Sequence, residues 1–105
     1  MNTDLQTIIL QLRSTQPQQF IRTLSGDFDT LSSPQFKDGI HADIKKTIDR
    51  TKQPPEEIYS LEVWKSQELV VTYEGDAVKD ICNTIDKKVY LYESEQFYFE
   101  QGGGD

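Results

Sequence analysis

A chain of 105 residues with 18 acidic and 11 basic side chains carries a formal charge of −7, which suits one domain and one core and leaves too little length for two. With 35% hydrophobic and 10% aromatic residues it is polar without having the composition of a solvating acidic tail. One cysteine, Cys82, and one histidine, His41, exclude cysteine-type zinc sites and histidine-pair metal motifs, and the richest apolar window, Ile8 to Leu12, is interrupted by Gln11 and far too short for a membrane span.

In the first half, Leu5, Ile8, Ile9 and Leu12 share one helical face, and Thr3 with Gln6 has capping-box spacing, so the pattern predicts a helix over 4–14. Pro17 suits the first position of a second short helix carrying Phe20, Ile21 and Leu24 and ending at Gly26. Residues 25–37 read as a polar loop. A third helix is predicted from Asp38 to Thr51 on the stripe Ile40, Ile44 and Ile48.

The Pro54-Pro55 pair then marks the border between a helical half, 1–54, and a β-rich half, 55–101, followed by a Gly-rich tail at 102–105 that is expected to be flexible. Tyr59, Leu61 and Val63 alternate with Ser60 and Glu62, and Leu69, Val71 and Tyr73 alternate with Val70 and Thr72, which predicts a β-hairpin across the polar Ser66-Gln67-Glu68. Val78, Ile81, Cys82 and Ile85 switch to helical spacing over about 77–85. Val89–Tyr92 and Phe97–Phe99 read as a second hairpin. The expected fold is a single α+β domain over 1–101: three N-terminal helices, then ββ-α-ββ, with helices covering one face of an antiparallel sheet.

Charge follows the same division. Residues 1–54 hold six acids and seven bases, whereas 55–105 hold twelve acids and four bases, so the acidity lies in the second half. No basic region precedes the first apolar residues, and with a lone cysteine this points to a cytoplasmic protein that does not associate with membranes. Motifs for nucleophilic, zinc-dependent or phosphate-binding catalysis are absent, and Gly26, Gly39 and Gly75 are isolated. Asp27 and Asp29 open like a calcium loop, but Leu31 and Ser32 stand where a third acid and a glycine are needed. Cys82 lies on an apolar stripe and reads as an inert thiol. The expectation is therefore a non-catalytic protein without metal or cofactor.

Two features point to binding. Three helices followed by a hairpin, over residues 4–74, resemble the order of a winged-helix DNA-binding domain, which implies a third helix entering the major groove with Lys45, Lys46 and Arg50. The charge of −7 opposes direct nucleic-acid binding. Strand alternation, in contrast, sets Trp64, Tyr90, Tyr92 and Tyr98 on the sheet face away from the helices, rimmed by Glu62, Glu93, Glu95 and Glu100. Aromatic anchors within an acidic rim suit a basic protein partner, including one whose groove normally holds nucleic acid. The leading expectation is a small acidic inhibitor or regulator of such a partner. A chaperone-like or toxin-neutralising homodimer, closed over the same face, is the alternative.

Overall fold

The structure, a computed structural model, describes residues 2–102 and their side chains through Phe97. Helix α1 (Leu5–Ser14) precedes strands β1 (Ile21–Ser25), β2 (Phe28–Ser32), β3 (Ile40–Asp49), β4 (Glu56–Lys65) and β5 (Glu68–Tyr73), and helix α2 (Asp76–Gly102) closes the order. The strands form one antiparallel meander in the order β1-β2-β3-β4-β5. The chain is thus α+β, but three N-terminal helices are not what it builds.

Of those three, only α1 is present. Asp4 caps it, accepting from the Thr7 N–H at 2.9 Å, and the hydrogen bonds from the Thr7 side chain and backbone hold the Asp4 carboxyl below its ordinary range. The predicted second helix is a 3₁₀ turn, Pro17–Gln19, and then β1. Gly26 has φ of 60° at the first position of a two-residue turn, the signature of a type II′ hairpin, so Gly26-Asp27 joins β1 to β2 instead of ending a helix. The predicted third helix is β3. Ile40, Ile44 and Ile48 at spacings of four fit either periodicity, but Ala42 completes the strand face and no apolar residue supplies the i+3 contacts of a helix. β-branched side chains at 40, 44, 47 and 48 favour the extended form.

The hairpin predicted over 59–73 is found as β4 and β5, turning at Ser66-Gln67, both with positive φ as a type I′ turn requires. The second predicted hairpin is not. Val78, Ile81, Cys82, Ile85 and Val89 are all buried along one continuous helical face, and Glu93-Ser94-Glu95-Gln96 contains no Gly, Pro, Asn or Asp to break it. The 77–85 helix therefore runs on to Gly102. The rest of the tail, 103–105, lies outside the described residues.

Both helices pack on the same side of the sheet. Ile8, Leu12, Val78, Ile81 and Ile85 meet Ile40, Ala42, Ile44, Leu61 and Val63 in one core, with Tyr59, Val71 and Tyr73 at its margin. The Tyr73 hydroxyl donates to the Thr3 carbonyl at 2.8 Å at the start of α1, and Lys88 Nζ donates to the Thr15 carbonyl at 2.7 Å beyond its end. Both helices therefore run from the β5 side of the sheet towards β1.

Candidate functional site

Because the side-chain period of a strand is two, burying 40, 42, 44, 61 and 63 puts 41, 43, 45, 62 and 64 on the opposite face. No described helix covers that face. Cross-strand register fixes its layout: His41 lies opposite Trp64, Asp43 opposite both Ser32 and Glu62, and Thr47 opposite both Phe28 and Ile58. A register shift between Val63 and Trp64 brings Leu69 opposite Trp64, so Leu69 joins the open face although Val71, two residues on, pairs with the buried Val63.

Trp64 and His41 stack with centroids 6.2 Å apart and ring planes 7° from parallel. His41 Nε2 lies 3.5 Å from Asp43 Oδ1, an ion-pair distance when the imidazole is protonated. Lys45 Nζ approaches Glu62 to 3.5 Å and sits 5.3 Å from the centroid of the Phe28 ring. Trp64 Nε1 and Asp43 Oδ1, one donor and one acceptor, have no hydrogen-bond partner. Both atoms are buried, so the unmade hydrogen bonds are a cost borne by the fold. Ile21, Phe28, Ile58 and Leu69 are exposed around this centre.

The sequence-derived set divides accordingly. Trp64 and Glu62 lie together on the open face. Tyr90, Tyr92, Glu93 and Glu95 belong to α2, on the other side of the sheet, and Tyr98 and Glu100 share that helix with side chains outside the described residues. Glu93 is held by Arg22, with Nη2 to Oε1 at 3.0 Å. What the sequence reading missed is His41, Asp43, Phe28, Ile58 and Ile21. Their signal was present as the alternation of β3 and of the 21–32 hairpin, once those segments are taken as strands.

The basic trio of the winged-helix resemblance is dispersed because residues 40–49 are extended. Lys45 is on the open face and Lys46 on the helix side, 3.8 Å from Asp86. Arg50 pairs with Asp27 at 2.9 Å across the strand ends. With only a 3₁₀ turn at Lys37–Gly39 and a strand from Ile40 to Asp49, the recognition helix of that resemblance does not form.

The sharply perturbed groups lie elsewhere. Burial, aided by the nearby Asp86 charge, pushes the Cys82 thiol up to about 12. Burial, with the Glu57 carboxylate accepting from its hydroxyl at 2.8 Å, raises the Tyr59 phenol. Both shifts favour the protonated, non-nucleophilic form. A maleimide reagent at pH 8 is accordingly expected to label Cys82 only at the rate of global unfolding, and immediate labelling of the native protein would contradict its burial. Among the described residues no group of three His, Cys, Asp or Glu side chains is placed to hold a metal ion, and no helix is long and apolar enough to cross a membrane.

The class these features define is an α+β domain with a one-sided antiparallel meander. The chain matches no protein-family model, no curated protein and no solved structure at a significant level.

Proposed function

We propose that this chain is a non-catalytic interaction module, an inhibitor or regulator, whose open sheet face docks on a basic protein surface. The observation that supports this reading is the composition of the uncovered face: the Trp64–His41 stack and the exposed Phe28, Ile58 and Leu69 lie among Asp43, Asp49, Glu56 and Glu62, of which Glu62 pairs with Lys45 and Glu56 with Lys52. An aromatic centre with an acidic surround gives apolar anchorage and steers positively charged partners. A partner whose basic groove normally holds nucleic acid would be blocked by such a surface.

The test is capture from native extract at low salt, release by high salt, and affinity measurement with the partner so identified. Trp64→Ala is expected to weaken binding by about thirtyfold or more, the usual scale for a central tryptophan. Glu62→Lys should slow association and flatten the salt dependence while leaving the circular dichroism unchanged. Affinity that is indifferent to both salt and Glu62→Lys would overturn the electrostatic half of the reading, and wild-type binding by Trp64→Ala would remove the face itself.

A further inference from the structure

β1 has β2 on one side and, among the described residues, no strand on the other. Ser25 and Phe28 flank the two-residue turn and so form the hydrogen-bonded pair that closes it. Alternation then turns the N–H and C=O groups of Arg22 and Leu24 outward, to the free edge. The opposite edge, β5, is interrupted by the register shift near Trp64, as protected edges are. β1 pairs regularly with β2 over Ile21–Ser25 without a bulge, contains no proline, and the charge of its one ionic side chain, Arg22, is neutralised within the chain by Asp29 and Glu93. Ile21 and Leu24 are 68% and 72% exposed.

Helix α2 overshoots this edge. Glu93 contacts Arg22 of the edge strand, yet the helix continues to Gly102, so residues 94–102 project beyond β1 by roughly 13 Å at 1.5 Å per residue. Phe97, on the projecting part, is 62% exposed. On the helix-bearing side of the sheet, the row next to Arg22 is Leu24, Asp29 and Lys46 in direct register. With Ile48 and Arg50 these residues line a cleft of about 260 Å³. Asp29 and Asp27 there are engaged by Arg22 and Arg50, which leaves Leu24 and Ile48 as apolar walls.

We propose that two copies of the chain associate about a two-fold axis at Thr23, their β1 strands pairing antiparallel with Arg22 of each opposite Leu24 of the other, and that the projecting end of each α2 enters the other copy's cleft. The edge strand, the projection and the cleft complement one another under that single operation. The outward groups of Arg22 and Leu24 satisfy each other, and Thr23 meets its own counterpart in a non-hydrogen-bonded pair. Because Arg22 opposes the other copy's Leu24, a helix leaving one sheet over Arg22 arrives on the other along the Leu24, Asp29, Lys46 row. Phe97 lies four residues past Glu93, or about 6 Å, close to one strand spacing of about 4.8 Å, which brings it to Leu24.

Sedimentation over a dilution series is expected to show a dimer of twice 12.1 kDa that dissociates on dilution. Leu24→Lys, which adds a charge to each half of the interface at an already exposed site, should weaken association by about a hundredfold. Thr23→Cys should cross-link to a covalent dimer on oxidation, since non-hydrogen-bonded partners sit about 4.5 Å apart at Cα, whereas Ser25→Cys, opposite Ile21 of the other copy, should not. Native Cys82 is buried and gives no background. A monomer at every concentration would overturn the proposal. So would a dimer that Leu24→Lys leaves intact and that Thr23→Cys fails to cross-link.

Discussion

Leu61→Ala is expected to lower the unfolding free energy by about 3 kcal/mol, read as a shift in urea midpoint at unchanged slope. Leu61 is fully buried at the centre of β4, with Ile44 opposite it on β3 and Tyr73 opposite it on β5. It belongs to the core shared with Ile81 and Ile85 of α2. Truncation removes apolar contact and leaves a cavity that a sheet bonded on both sides cannot easily close, which is why the cost exceeds transfer alone. Ile58→Ala, three residues earlier and on the open face, is the control. Its side chain is exposed, so a change below about 0.5 kcal/mol is expected. Equal costs at the two positions would mean that both faces are packed, and a face packed in the monomer cannot also be the docking surface.

That pair of residues also shows what could be read from the sequence and what could not. The alternation Tyr59, Leu61, Val63 sufficed to place β4, its hairpin with β5, and Trp64 on the outer face. Period two is unambiguous when polar residues stand between. It failed at 40–49, where isoleucines four apart satisfy both periods and only the small Ala42 marks the strand. It failed again at 89–99, where aromatic and β-branched residues suggested strands although the buried spacing of α2 was already established upstream. A helix held by tertiary burial along Val78, Ile81, Ile85 and Val89 overrides the local β preference of Val89, Tyr90 and Tyr92. The candidate site inherited these errors. Residues on true strands, Trp64 and Glu62, remain on the open face, while those assigned to a strand that is helical do not. The alternation that puts Phe28, His41 and Asp43 on one face can be read once their segments are taken as strands, but bringing them together rests on the pairing among β2, β3 and β4, which is long-range information that no local pattern holds.

Arg22 should show the second largest loss. Its guanidinium joins three carboxylates from two elements, with Nη1 to Asp29 at 2.6 Å, Nη2 to Glu93 at 3.0 Å and Nη2 to Asp86 at 3.7 Å. Desolvation by itself would favour losing the charge, but hydrogen bonding to Glu93 and the Asp29 charge outweigh it, and the Arg22 pKa is raised. Arg22→Met keeps the packing of the stem and removes the charge, leaving Asp29, Asp86 and Glu93 near one another with Lys46 as a cation 3.8 Å from Asp86. A loss of roughly 2 kcal/mol at low salt is expected, scaled down from fully buried pairs because Glu93 is half-exposed. Added salt should recover part of that loss in the variant, since the residual term is repulsion between carboxylates, and should not stabilise the wild type through this site. Double-mutant cycles separate the contributions: coupling of Arg22 to Asp29, whose side chain is 20% exposed, should exceed coupling to Glu93, at 45%. The reverse order would mean that Arg22 serves chiefly to tie α2 to the β1 edge through Glu93 and not to join β1 to β2 through Asp29. The projection of α2 beyond that edge would then depend on a solvent-screened contact, and high salt should release it.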